Sequence, residues 1–139
     1  MTILMDEAAL NTFLKERFPQ ADGFVVREVT QDGCVVEMPT RDGHLRPGGT
    51  VSGPTMFALA DVAVYLAILA RIGPVELAVT TNASIDFMRK PIAGKPLVAT
   101  ARLLKLGRVL AVGDVLIQSE GASGPVARAT ATYSIPPTR

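Results

Sequence analysis

Asp61 is the residue whose surroundings most call for a chemical reason. It stands among Ala58, Leu59, Ala60, Val62, Ala63 and Val64, and a carboxylate drawn out of water is costly unless it is paired or used. Two readings fit: an aspartate bonded to a nearby hydroxyl or amide or lying on an exposed helix edge, or a general base or nucleophile made more basic by loss of water. Eight residues upstream, Thr50-Val51-Ser52-Gly53-Pro54 has the composition of a helix start, with Pro54 suited to the first helical position and Ser52 or Gly53 to the cap. Unpaired backbone N–H groups and the positive end of the helix dipole meet there and can stabilise an oxyanion; a plainly capped helix is the alternative. Along one helix, Gly53 and Asp61 lie about 12 Å apart, too far to touch one carbonyl together.

Other chemistries are excluded by residue count. His44 is the single histidine and Cys34 the single cysteine, so neither a histidine-rich metal centre nor an internal disulfide can form; no metal is expected. One free thiol fits a reducing compartment, and a cytoplasmic location is expected. Arg46 to Gly53 lacks the spaced Gly-Lys-Ser/Thr of a nucleotide-binding loop. Lysine and arginine number 14 against 13 acids, a net charge of +1, and are scattered, which argues against a nucleic-acid or anionic-membrane partner.

The elements that position these residues follow from periodicity. Ala9, Leu10, Phe13, Leu14 and Phe18 recur at helical spacing over residues 6–18, and Pro19 stops the run. The first residues read as this helix's beginning rather than as an export signal. Residues 24–29 and 34–38 flank Gln31-Asp32-Gly33 as a hairpin, and 40–50 is a glycine- and proline-rich loop. A helix over 54–72 ends at Gly73-Pro74; apolar on nearly every face, it must be wrapped by other elements. Its stretch 56–72 would cover about 25 Å, short for a bilayer, and it holds Asp61. Four strand-like runs follow, at 76–88, 97–106, 109–119 and 126–135. In the last, Ala127, Ala129, Ala131, Tyr133 and Ile135 alternate with Arg128, Thr130, Thr132 and Ser134, the pattern of an antiparallel strand with one buried face. An α+β architecture results, an antiparallel sheet curled around one long helix in a single domain spanning 1–139. An apolar content of 48% with mean hydropathy +0.31 points to surface hidden between subunits.

His44-Leu45-Arg46-Pro47-Gly48-Gly49-Thr50-Val51-Ser52-Gly53-Pro54, followed by Ala58-Leu59-Ala60-Asp61, resembles the helix-entry motif of the PaaI-type hotdog-fold acyl-CoA thioesterases. Asp86-Phe87-Met88-Arg89-Lys90-Pro91, Leu106-Gly107-Arg108 and residues 127–132 resemble that family's later strands. The resemblance implies a hotdog fold and subunits paired into one continuous sheet, as dimers or as homotetramers. It also implies an active site spanning two subunits. Gly53 N–H of one would polarise a thioester carbonyl, Asp61 of the other would activate water or attack directly, and Thr80 would either position the water or be an ordinary strand threonine. Where the family usually has His-Gly-Gly this chain has Ser52-Gly53-Pro54, and where it usually has Asn this chain has Arg46. Ser52 can hydrogen-bond substrate or water without titrating, and Arg46 can clamp a carboxylate or phosphate.

Hydrolysis of an acyl-CoA to acid and free coenzyme A is the expected reaction, with coenzyme A part of the substrate and no separate cofactor. Arg46, Arg89, Lys90, Lys105 and Arg108 are the candidate phosphate partners. A pocket lined by Phe57, Tyr65 and Val79 would take aryl or aliphatic chains. The alternatives are a hotdog protein that binds acyl-CoA or another apolar ligand without turnover, and an enoyl-CoA hydratase, which would need His44.

Overall fold

The computed structural model describes residues 2–137, so the expected domain ends, Met1 and Arg139, lie outside the described residues. Helix α1 (Glu7–Arg17) starts where the Asp6 carboxylate accepts the Ala9 N–H at 2.9 Å and stops before Pro19. Strands β1 (Val25–Val29) and β2 (Gly33–Met38) form the expected hairpin. Helix α2 (Gly53–Ile72) follows, capped by Ser52 and ended by Gly73, whose φ of 91° is open to glycine. Four strands complete the chain: β3 (Val79–Phe87), β4 (Leu97–Leu106), β5 (Leu110–Ser119) and β6 (Ala127–Ser134).

The six strands make one antiparallel sheet in the order β1-β2-β4-β5-β6-β3. Wrapped around α2, it is a hotdog fold. Leu59, Leu66, Ile68 and Leu69 of the helix are fully buried against Val36, Leu97, Ile117 and Val126 from the sheet side, and their burial is the main favourable contribution to folding. Close approach is possible because residue 113 is a glycine: a Cβ there would sit 3.0 Å from a Val64 methyl. Although α2 is long and apolar enough to cross a membrane, 72% of its most apolar stretch is buried inside the fold.

Two expectations need adjustment. The run 76–88 becomes a strand only from Val79, because Ala78 N–H turns back to the Val75 carbonyl. The helix is not wrapped on every side: Pro54, Phe57 and Ala58 are exposed and Asp61 is half-buried. Their spacing makes one uncovered stripe along the first half of α2.

The two sheet edges differ. On β1, the Asn11 side chain accepts the Val26 N–H at 2.8 Å and donates to the Val26 carbonyl at 3.0 Å, and Glu7 accepts the Val29 N–H at 2.8 Å. Helix α1 thereby closes that edge. Among the described residues no such cover lies on β3, where Val79 and Phe87 at the two ends are each about half exposed. At the other end of α2, buried Arg71 donates to the carbonyls of Thr30 (2.5 Å), Gly33 (3.1 Å) and Ala67 (3.0 Å), tying the helix end to the β1–β2 turn. Substituting Arg71→Leu removes the donor to the Thr30 carbonyl, and a loss of about 2 kcal/mol is expected. Thermal unfolding should show a midpoint lower by roughly 5–10 °C.

Candidate active site

Three elements converge on Asp61. The register of β3 and β6 sets Thr80 against Tyr133, just before a bulge between Thr80 and Asn82, and α2 passes over this pair. Thr80 Oγ1 donates to Asp61 Oδ1 at 2.7 Å, and the Tyr133 hydroxyl lies 2.8 Å from both that Oδ1 and the Asp61 backbone carbonyl. Among the described residues, no hydrogen bond reaches Oδ2. Asp61 thus lies on the uncovered stripe, half-buried, with hydroxyl donors already in place, the surroundings that the first of its two readings allowed.

Sequence reasoning treated Tyr133 only as the buried face of β6. One signal was present, since a phenol on an otherwise alanine-rich buried face must find a partner for its hydroxyl; the partner's identity depended on strand register. Burial first, and the negative charge of Asp61 second, push the Tyr133 phenol well above its ordinary pKa of 10.0, so it stays protonated and donates. Its ring stacks on Tyr65 at 6.0 Å between centroids, and Phe18 meets Tyr65 edge-on at 5.8 Å. Arg17, paired with Glu76, and Phe18 bring the end of α1 to the rim of the resulting cavity, about 360 Å³ in volume. Of the three expected pocket residues, Tyr65 and Val79 line it, whereas Phe57 stands out on the uncovered stripe.

The start of α2 forms a second centre. Ser52 is the cap: its Oγ accepts the Thr55 N–H at 3.3 Å and shares a 2.8 Å hydrogen bond with Thr55 Oγ1, while its N–H donates to the His44 carbonyl. His44 in turn accepts the Arg41 N–H through Nδ1 at 3.0 Å. Gly53 N–H has no acceptor among the described residues. The Phe87 ring packs on Gly53, 3.1 Å from where a Cβ would lie, so any larger residue would displace the ring. Arg46, Arg89 and Lys90 share a cavity of about 380 Å³ with Gly53 and Phe87. Arg108 lies elsewhere in the chain, beside Ile72, Val109 and Ser134, and Lys105 packs by its Gly107 neighbour. Thus Thr80 and Asp61 are brought together, as are Gly53, Arg46, Arg89 and Lys90, and the two groups stay apart on one helix.

The fold is that of the hotdog proteins, and comparison with known proteins supports a thioester hydrolase. Residues 48–124 match the family model described as the thioesterase superfamily; the chain belongs to that family. Over 99% of this chain and 96% of its own, a proposed thioesterase from Silicibacter sp. is 56% identical, with a TM-score of 0.92. A mutant form of the phenylacetic acid degradation protein PaaI from Thermus thermophilus is 34% identical over 86% of this chain and 98% of its own, with a TM-score of 0.72. A hypothetical thioesterase protein from Streptococcus pneumoniae, crystallised with coenzyme A, shares the fold at 23% identity over 94% of this chain and 99% of its own, with a TM-score of 0.77. A search of curated proteins finds no match.

The tyrosine environment has a measurable consequence. Above about pH 10 an unfolded tyrosine loses its proton while Tyr133 in the folded chain keeps it, so the folded state binds more protons and stability falls as pH rises. The expected contribution of Tyr133 is a decline of about 1.4 kcal/mol in total between pH 9 and 11, steepening above pH 10. Urea unfolding between pH 9 and 11 should show that component vanish in Tyr133→Phe.

Proposed function

We propose that this chain hydrolyses acyl-CoA thioesters at a site shared by two copies of itself. The observation that carries the reading is the open β3 edge with one half of a site at each end. Thr80, with Asp61, marks the end near Val79; Phe87, packed on Gly53, marks the other. If two β3 strands pair antiparallel about their common midpoint at Ala83, Thr80 of one copy falls opposite Asp86 of the other, next to Phe87. Asp61 of each subunit then faces the partner's Gly53, and the separation of about 12 Å within one chain ceases to matter. The exposed stripe of α2 runs beside the same edge and would be covered with it.

In this site the Gly53 N–H donates to the thioester carbonyl oxygen and to the oxyanion that develops on it. Asp61 takes a proton from water as the water oxygen attacks the carbonyl carbon, or its carboxylate attacks that carbon and water then cleaves the resulting anhydride. In both routes the C–S bond breaks, its electron pair leaves on sulfur, and the proton lost by water ends on the thiol. Thr80 holds the Asp61 carboxylate and orients the approaching water. Ser52 acts through the helix start, holding the Gly53 amide in place.

Arg46, Arg89 and Lys90, gathered beside Gly53, suit the phosphates of coenzyme A, the ligand with which the Streptococcus protein was crystallised. Arg108 lies at the Val79 end, near Ser134, which pairs with Val79; the proposed pairing turns it towards the partner's Arg89 and Lys90. A dimer is the smallest active unit, and a tetramer built from two such dimers keeps both sites. We also propose a cytoplasmic location, in keeping with the single buried free thiol, Cys34.

Thiol release over an acyl-CoA panel tests the reaction, and Asp61→Asn should lower turnover by at least about 100-fold. Saturable binding without thiol release by the unaltered protein would instead identify a carrier. Sharing is tested by co-expressing Asp61→Asn chains with Gly53→Val chains, each nearly inactive alone. Half of randomly formed dimers then carry one intact site, so about one quarter of normal turnover should return. Complementation would not occur if each site lay within one chain.

A further inference from the structure

Nothing in the family resemblance pointed to Tyr133, yet it makes as close a contact with the candidate catalytic carboxylate as Thr80 does. The two hydroxyls approach the same oxygen, Oδ1, at 2.7 and 2.8 Å. A carboxylate held by two donors on one oxygen cannot turn about its Cβ–Cγ bond without losing both, and its other oxygen is left with its lone pairs free. We propose that Tyr133 is a positioning residue which, with Thr80, pins Oδ1 of Asp61 and leaves Oδ2 as the oxygen that meets water or the thioester carbon.

Three features make the phenol suited to this task. Its hydroxyl also lies 2.8 Å from the backbone carbonyl of Asp61 itself, so its one proton is shared between the side chain and the helix backbone that carries it, and strand β6 is held against both. The ring is buried and stacked on Tyr65, which denies it other rotamers. Its proton is retained under all ordinary conditions, because burial and the neighbouring negative charge both oppose ionisation. Thr80, exposed on the open edge, lacks such confinement. Thr80 therefore supplies a hydrogen bond, while Tyr133 supplies a fixed point.

The inference rests on the hydrolase reading, and the experiment separates their failures. Tyr133→Phe keeps the ring and its stacking on Tyr65 and removes only the donor. Loss of one hydrogen bond to a charged group should lower kcat by roughly 10- to 100-fold. KM should stay within about twofold, since the phenol acts through Asp61 and does not bind the thioester. In an Asp61→Asn background the same change should cause no further loss of residual turnover, because its route of action is already gone. A crystal structure of the variant should show the Asp61 carboxylate turned from its original plane. If Tyr133→Phe folds poorly, para-fluorophenylalanine at position 133 fills the hydroxyl's space without donating and should give the same kcat loss. Unchanged kcat in either variant, a change confined to KM, a further loss in the Asp61→Asn background, or an unmoved carboxylate would overturn the role of Tyr133. No thiol release by the unaltered protein would overturn the hydrolase reading, and Asp61→Asn at full turnover would overturn the catalytic part of Asp61; either outcome leaves the carboxylate orientation in the crystal to decide the tyrosine's part.

Discussion

The sheet has two edges and only one of them is closed. Unpaired strand edges invite pairing with another chain, and proteins meet that hazard by covering or blunting them. Here the cover on β1 is built from two side chains of α1, Asn11 and Glu7, which answer the outward N–H and carbonyl groups of the strand. The opposite edge, β3, has exposed residues along most of its length and apolar ones at both ends. In the proposed dimer that asymmetry would direct association to one side of the molecule. It would also decide where a shared site can form, because Thr80 and Phe87, which mark the two proposed half-sites, lie on the open strand.

Helix α2 must satisfy two demands that conflict. It supplies the centre of the core, with Leu59, Leu66, Ile68 and Leu69 fully buried, and it also carries the carboxylate. The conflict is settled along its length. The second half is enclosed on all sides and contains one charge, Arg71, satisfied by backbone carbonyls; the first half leaves a stripe uncovered, and Asp61 stands on it. A carboxylate deep in such a core without partners would cost several kcal/mol. Placed at the margin, with Thr80 and Tyr133 as donors, it is held firmly while keeping access to a cavity.

Much of this was legible in the sequence, for identifiable reasons. The helices at the start and centre announced themselves through apolar spacing and through Asp6, Ser52 and Gly73 at their ends, and β6 through strict alternation. Asp61 and Gly53 were legible because each broke the pattern around it. What could not be read was anything fixed by register. Tyr133 meets Asp61 only because β6 aligns residue 133 with residue 80, a pairing between positions 53 residues apart, and no local signal encodes it. How far Asp61 is exposed stayed open in the sequence for a related reason. Helical periodicity showed that α2 is apolar all round without showing that the sheet stops short of one side. Asn11, the residue that seals β1, looked like an ordinary polar position on an amphipathic helix.

Register is also what the proposed catalysis would demand most strictly. An oxyanion donor acts only within about 3 Å, whereas slipping an antiparallel pair by two residues displaces one strand by about 6.6 Å. A slip by one would turn Thr80 and its neighbours to the wrong face. In the symmetric pairing, Val79 of each copy lies opposite Phe87 of the other, so half-exposed apolar residues of both copies gather at each end of the seam. A shifted pairing would separate them. The same side chains that mark β3 as an open edge would thus select the one alignment in which a carboxylate and a helix-start amide meet around a thioester.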